Sequence, residues 1–121
     1  MEQEYVPYEE CLKLKELGFN EYCMGACYYE YTSNKGVSTY LLRLPDDCDS
    51  KDGVKAPIYQ QVFRWFREKY QLSGIPTHQS YDVWELTKNE CFMEVYTIDS
   101  FEEAQVQCLR KLIEIVKGGE Q

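Results

Sequence analysis

The sequence predicts an α+β fold, and three observations carry that expectation. Residues 7–17, 57–72 and 100–117 repeat apolar side chains at helical spacing. Residues 22–44 and 79–98 are rich in tyrosine, valine and threonine, and each stretch is broken by a polar turn. No linker-like run interrupts the chain. The order is α-ββ-α-ββ-α. It predicts an antiparallel four-stranded sheet made of two hairpins, with the helices packed mainly on one face. A single domain over residues 1–121 follows, with 1–5 and 118–121 frayed.

Pro7 suits the first position of the first helix, which has no use for a backbone N–H there. Cys11, Leu14 and Leu17 then recur at helical spacing, with Leu12 beside them. Gly18 offers a left-handed stop, and Phe19 an apolar residue just past it. In residues 22–32, Cys27, Tyr28, Tyr29, Tyr31 and Thr32 favour strand. Asn34-Lys35-Gly36 is a turn signal, and residues 37–44 read as the partner strand. Residues 45–56 hold Pro45, four aspartates and Gly53, and read as a polar loop.

The second helix has the broadest stripe. Ile58, Val62, Trp65, Phe66 and Lys69 mark it, and Tyr59, Phe63 and Tyr70 widen it. Gln60, Arg64, Arg67, Glu68 and Gln71 occupy the opposite side. Such a stripe predicts deep burial against a sheet, and Gly74 and Pro76 prevent continuation. Residues 79–87 and 91–98 form the second hairpin around Lys88-Asn89-Glu90. Ser100 and Glu103 fit a capping box for the third helix. Phe101, Ala104, Cys108, Leu109, Leu112, Ile113 and Val116 are its apolar face, and Gly118-Gly119 ends it.

Composition narrows the function classes. The chain has 121 residues, 44% hydrophobic and 28% charged, which is enough for a core without metal or disulfide staples. Thirteen basic against twenty-one acidic residues give a net charge of −8. That surface disfavours nucleic acid and anionic membrane as partners. Met1-Glu2-Gln3-Glu4-Tyr5 is acidic, so no secretory signal is expected. No apolar run approaches the roughly 20 residues that span a bilayer. Six cysteines could pair, but Cys11 and Cys108 fall on apolar helix faces and Cys91 on a strand. Reduced thiols and a cytoplasmic location are the expectation.

The candidate chemistries each meet a plainer alternative. Cys23-x3-Cys27 is the nearest approach to a metal motif, yet zinc needs four soft ligands and the chain offers no second close pair. His78 is the sole histidine and sits in a loop, so it specifies no Cys–His nucleophile. A calcium loop begun at Asp47 fails at Lys51, Asp52 and Ile58. Glu9, Glu10, Glu102 and Glu103 lie in first helical turns, where the dipole favours them without any catalytic role. No phosphate-cradling glycine loop is present. No cofactor, metal or catalytic residue is therefore assigned. Arg64 and Arg67, one turn apart, could grip a phosphate or carboxylate. A solvated face with an Arg64–Glu68 pair is the plainer reading.

Eleven tyrosines are the one compositional oddity. Tyr29 and Tyr31 share one strand face, and Tyr28 points to the other. Tyr40, Tyr81, Trp84 and Tyr96 add aromatic surface. Half-buried sheet tyrosine is the simpler account. The functional account is an aromatic sheet face that binds a partner, a second copy or a planar ligand. Single-stranded nucleic acid would need a cationic groove that the scattered basic residues do not make. An acidic nucleic-acid mimic has the right charge sign but no continuous negative stripe.

Three blocks resemble known sequences. They are Val6-Pro7-Tyr8-Glu9 with Lys13-x-Lys15-Glu16-Leu17-Gly18-Phe19; Ala56-Pro57-x-Tyr59-Gln60-Gln61-x-Phe63-x-Trp65-Phe66-Arg67-Glu68-Lys69-Tyr70; and Ser100-Phe101-Glu102-Glu103-Ala104 with Cys108-Leu109-x-Lys111-Leu112-Ile113-Glu114. They are similar to small uncharacterised proteins of gut Bacteroidetes and of their phages or mobile elements. The likeness covers roughly half the chain, and that group has no established activity, so no site residue carries over. It implies a bacterial cytoplasm and a phage or mobile-element origin, where small proteins bind host proteins or sequester small molecules.

The expected function is a non-catalytic binding protein that associates with itself or a host protein through Tyr29, Tyr31 and Tyr96. The alternative is a binder or sequesterer of a small, nucleotide-like anion held by Arg64 or Arg67. A small enzyme using carboxylates is the third reading.

Overall fold

Three helices and two antiparallel sheets make up the computed structural model, which describes residues 5–23, 25–43, 53–78, 80–95 and 100–118. The fold is α+β. The elements in chain order are α1 (Tyr8–Glu16), β1 (Ala26–Ser33), β2 (Gly36–Arg43), β3 (Val54–Lys55), α2 (Tyr59–Tyr70), β4 (Leu72–Pro76), β5 (Tyr81–Glu85), β6 (Glu90–Val95) and α3 (Phe101–Lys117). The expected αββαββα order is kept, with β3 and β4 added. The single four-stranded sheet is corrected. The hairpins belong to two sheets of order β2-β1-β3 and β4-β5-β6. Each hairpin finds its third strand locally, in segments the sequence had read as loop or helix end. The chain divides into two units, Met1–Ile58 and Tyr59–Gln121.

In the first unit α1 starts at Tyr8, one residue later than expected. Pro7 is extended, with ψ of 156°, and its carbonyl accepts the first helical bond, from the Cys11 N–H. The stop follows the sequence expectation. Gly18 takes φ of 97°, its N–H donates to Lys15 O, and the Phe19 N–H donates to Leu14 O. That pair of bonds caps carbonyls the helix leaves open. Phe19 is buried, as are Cys11 and Leu14. β1 and β2 pair over their whole length, from Ala26↔Arg43 to Ser33↔Gly36. Gly36 has φ of 115°, which only glycine adopts freely, and its missing Cβ would meet open space. The demand there is conformational. β3 pairs with β1 at Cys27↔Lys55 and Tyr28↔Val54. Pro57 does not open α2 as expected. The Val6 N–H donates to Pro57 O and Tyr5 bridges to Ile58, so this stretch is spent on pairing.

In the second unit α2 carries buried Tyr59, Val62, Phe63, Trp65 and Phe66 on its stripe. Trp65 meets Phe66 and Tyr70 edge-on, with ring centroids 5.1 and 5.5 Å away, and Lys69 Nζ lies 5.2 Å from the Trp65 ring. The helix ends earlier than the sequence suggests. Gln71 takes φ of 59°, a left-handed joint more often given to glycine. One residue later β4 begins, and the Leu86 N–H donates back to Gln71 O. β4 pairs with β5 from Leu72↔Glu85 to Pro76↔Tyr81. Pro76, which cannot donate, is tolerated because β4 is an edge strand among the described residues.

Both helices of this unit lie on the same face of β4. A Cβ built on Gly74 would stand 2.7 Å from Cys108 Sγ and 2.9 Å from Leu112 Cδ1 on α3, and 3.3 Å from Phe63 Cδ1 on α2. The bare glycine is what lets the two helices approach the strand. Val83, Leu72, Ala104, Leu109 and Leu112 complete the core. α3 begins as expected. Ser100 Oγ accepts from the Glu103 N–H at 3.2 Å, while Glu103 Oε2 accepts from Gln107 Nε2 at 2.9 Å. Among the described residues no helix is long and apolar enough to cross a membrane.

Candidate functional site

The first candidate is built by the β1–β2 ladder. Because side chains alternate, Tyr29 and Tyr31 project to one face and Tyr28 to the other, as the sequence implies. The register sets Tyr29 opposite Tyr40 and Tyr31 opposite Ser38. Tyr40 therefore lies beside both. Its ring stacks on Tyr29 at 6.0 Å and 29°, and meets Tyr31 at 5.5 Å and 56°. Leu42, two residues from Tyr40, continues the same face and is 41% exposed. Tyr31 is 49% exposed and Tyr40 is 41% exposed. The result is an open apolar and aromatic patch.

The opposite face closes at its inner end. Tyr28 meets the Tyr8 ring of α1 edge-on at 5.6 Å and donates to Val6 O at 2.8 Å. Burial pushes the Tyr28 phenol up to about 12, with the Cys11 thiol adding to the rise. Tyr8 donates to Glu30 Oε2 at 2.9 Å. Toward the turn the cover stops, and Val37 is 64% exposed. The outer half of the hairpin thus shows apolar side chains on both faces. β2 is also the edge of its sheet among the described residues.

Of the sequence-selected residues, Tyr29 and Tyr31 come together, and Tyr40 joins them as the central ring. The sequence marks Tyr40 only as added aromatic surface, although the Asn34-Lys35-Gly36 turn sets it opposite Tyr29. Tyr96 lies outside the described residues, as does the acidic stretch 44–52. Arg64 and Arg67 belong to the second unit and are exposed on α2.

Arg67 lines a cleft of about 390 Å³, formed by α2, residues 73–76 of β4 and the first turns of α3. Gln60, Phe63 and Arg67 share one side of α2, and Phe101 and Gln105 share one side of α3. Arg64 is not part of the lining. The Arg64–Glu68 pair does not form among the described residues. Nothing in the sequence distinguishes Gln105 from other polar helix residues.

The cysteine expectation is corrected at one position. Cys27 is disulfide-bonded, so it is not a reduced thiol and offers no ligand to a metal. Cys11, Cys23, Cys91 and Cys108 are thiols outside any disulfide, and of these Cys91 is exposed. Cys11 donates to Val6 O and Cys23 to Glu21 O, each at 3.3 Å. Buried Cys108 is pushed up to about 12 by desolvation, with the Asp82 carboxylate contributing. Burial raises the Cys11 and Cys108 thiols, so both are kept protonated and neither is an activated nucleophile. No cluster of three metal-binding side chains occurs among the described residues. His78 is exposed in the β4–β5 turn, next to a hydroxyl contact between Thr77 and Ser80.

Comparison with protein-family models, with curated proteins and with solved structures returns no match. The functional reading therefore rests on the chain's own geometry.

Proposed function

We propose that this protein is a non-catalytic binding protein that self-associates through the β1–β2 hairpin, β2 of one copy adding to β2 of the next. The observation that carries this reading is the edge. Folded proteins blunt exposed strand edges with charge, proline or bulges, because unpaired N–H and C=O groups template another strand. β2 carries none of these over residues 36–42, which read Gly-Val-Ser-Thr-Tyr-Leu-Leu. Its side chains Val37, Tyr40, Leu41 and Leu42 are all exposed.

Charge favours the same partner. The whole chain bears −8, which opposes association in general. Residues 31–42 hold one charged side chain, Lys35, so the repulsion is weak at this hairpin. An antiparallel pairing of an edge with its own copy is isologous and closes after two chains. It would bring Tyr40 and Leu42 of each copy against the other and remove them from water.

Size-exclusion chromatography with light scattering tests the reading. The expected result is a concentration-dependent rise to twice the chain mass. Leu42→Lys and Val37→Lys, on opposite faces of the edge strand, are each expected to return the monomer with an unchanged circular dichroism spectrum. A wild-type chain that stays monomeric at about 0.1 mM would overturn it.

A further inference from the structure

We propose that the cleft of the second unit binds a mononucleotide, with its phosphate on the Arg67 guanidinium and its base edge on the Gln105 amide. Arg67 offers a fork of N–H donors suited to phosphate oxygens. It is exposed, and its side chain makes no hydrogen bond or ion pair among the described residues. Its charge is available to a ligand in the cleft that it lines.

Gln105 supplies the second observation. It lines the same cleft at 9% exposed, and its Oε1 is buried without a hydrogen-bond partner. A buried acceptor left open is unfavourable unless something donates to it. A glutamine amide presents one acceptor and two donors in a plane. That pattern pairs with adenine, whose N6 amino group donates and whose N7 accepts.

The remaining lining agrees with a flat ring. Phe63 and Phe101 give the cleft aromatic walls, against which a base can stack. A volume of about 390 Å³ falls in the range of sites that hold one small organic molecule. A bare phosphate or short carboxylate would use Arg67 and leave the amide and the aromatic walls idle.

Isothermal titration of the full chain with 5′-AMP, adenosine, 5′-UMP and inorganic phosphate tests this. The expected order is 5′-AMP tightest, by about tenfold or more over each of the others. Arg67→Ala, at an exposed position, is expected to lower 5′-AMP affinity to that of adenosine and leave adenosine unchanged. Gln105→Leu is expected to weaken both 5′-AMP and adenosine without lowering the melting temperature, because it removes an unsatisfied acceptor. Absence of 5′-AMP binding at about 1 mM overturns the proposal, as does Arg67→Ala binding like the wild type. Gln105→Leu that binds 5′-AMP and adenosine like the wild type overturns the role of Gln105. Leu42→Lys should leave 5′-AMP affinity unchanged, so this result and the oligomer result stand separately.

Discussion

Tyr29 and Tyr40 face each other across the β1–β2 ladder with ring centroids 6.0 Å apart and planes 29° from parallel. The pair sits on a face that stays open to water at Tyr31 and Leu42. It ties the two strands of the hairpin together side chain to side chain.

Tyr40→Ala removes the stack with Tyr29 and the tilted contact with Tyr31 at once. The expected loss is about 0.2–1 kcal/mol for each cross-strand contact, read by urea unfolding in the monomeric Leu42→Lys background. Tyr40→Phe should keep most of that stability, since neither ring contact needs the hydroxyl. Equal stability of all three chains would show that the stack contributes nothing.

Gly74→Ala places a methyl against Cys108 Sγ at 2.7 Å and Leu112 Cδ1 at 2.9 Å. Overpacking of this kind costs about 1–3 kcal/mol. Adding Cys108→Ala should recover part of the loss, because the nearer clash is gone and the Leu112 contact remains. An alanine tolerated without change in the urea midpoint would mean that α3 lies farther from β4 than the structure places it.

Alkaline stability depends on Tyr28. Its phenol is held from an ordinary 10.0 up to about 12 by burial, then by the neighbouring Cys11 thiol. A group whose folded value is raised stabilises the fold fully below its unfolded value. That contribution fades as pH rises through 10 toward about 12, where the phenolate can no longer donate to Val6 O. Tyr28→Phe should cost about 1 kcal/mol at pH 7. It should also make the fall in unfolding free energy above pH 10 shallower than in the wild type. Parallel curves for the two proteins would rule the explanation out.

Thiol reactivity separates the cysteines. Cys91 is the exposed free thiol, and desolvation with the Glu94 carboxylate raises its value, so it should react slowly at neutral pH and faster as pH rises. Cys11, Cys23 and Cys108 should react only on unfolding. An aromatic disulfide reagent should count fewer than six thiols in the denatured chain before reduction, because Cys27 is disulfide-bonded, and six afterwards. Six before reduction would show that Cys27 is a thiol.

Much of the local structure was legible because local chemistry decides it. Gly18 and Phe19 announce their capping bonds, Ser100 announces its cap, and the Asn34-Lys35-Gly36 turn sets the hairpin register that puts Tyr29 and Tyr31 together. β4 was not legible. Leu72-Ser73-Gly74-Ile75-Pro76 lacks an alternating pattern and contains two residues that usually break strands. Tertiary packing overrides both: Gly74 is there for the helices above it, and Pro76 sits at an edge. Pro57 looked like a helix start because its demand for a bond to Val6 is non-local. The Arg67 and Gln105 cleft was half visible. Arg67 stood out by charge, but Gln105 reads as an ordinary polar helix residue until its burial is known.

The left-handed turn at Gln71 has a consequence for how this chain can vary. One residue joins α2 to β4, so the spacing between Arg67 and the strand beneath it is fixed by covalent geometry and not by a length of loop. A single inserted residue would rotate the strand's side chains to its other side. Variation in the cleft must therefore come from replacing side chains in place, and the joint itself should tolerate glycine or asparagine far better than valine or isoleucine.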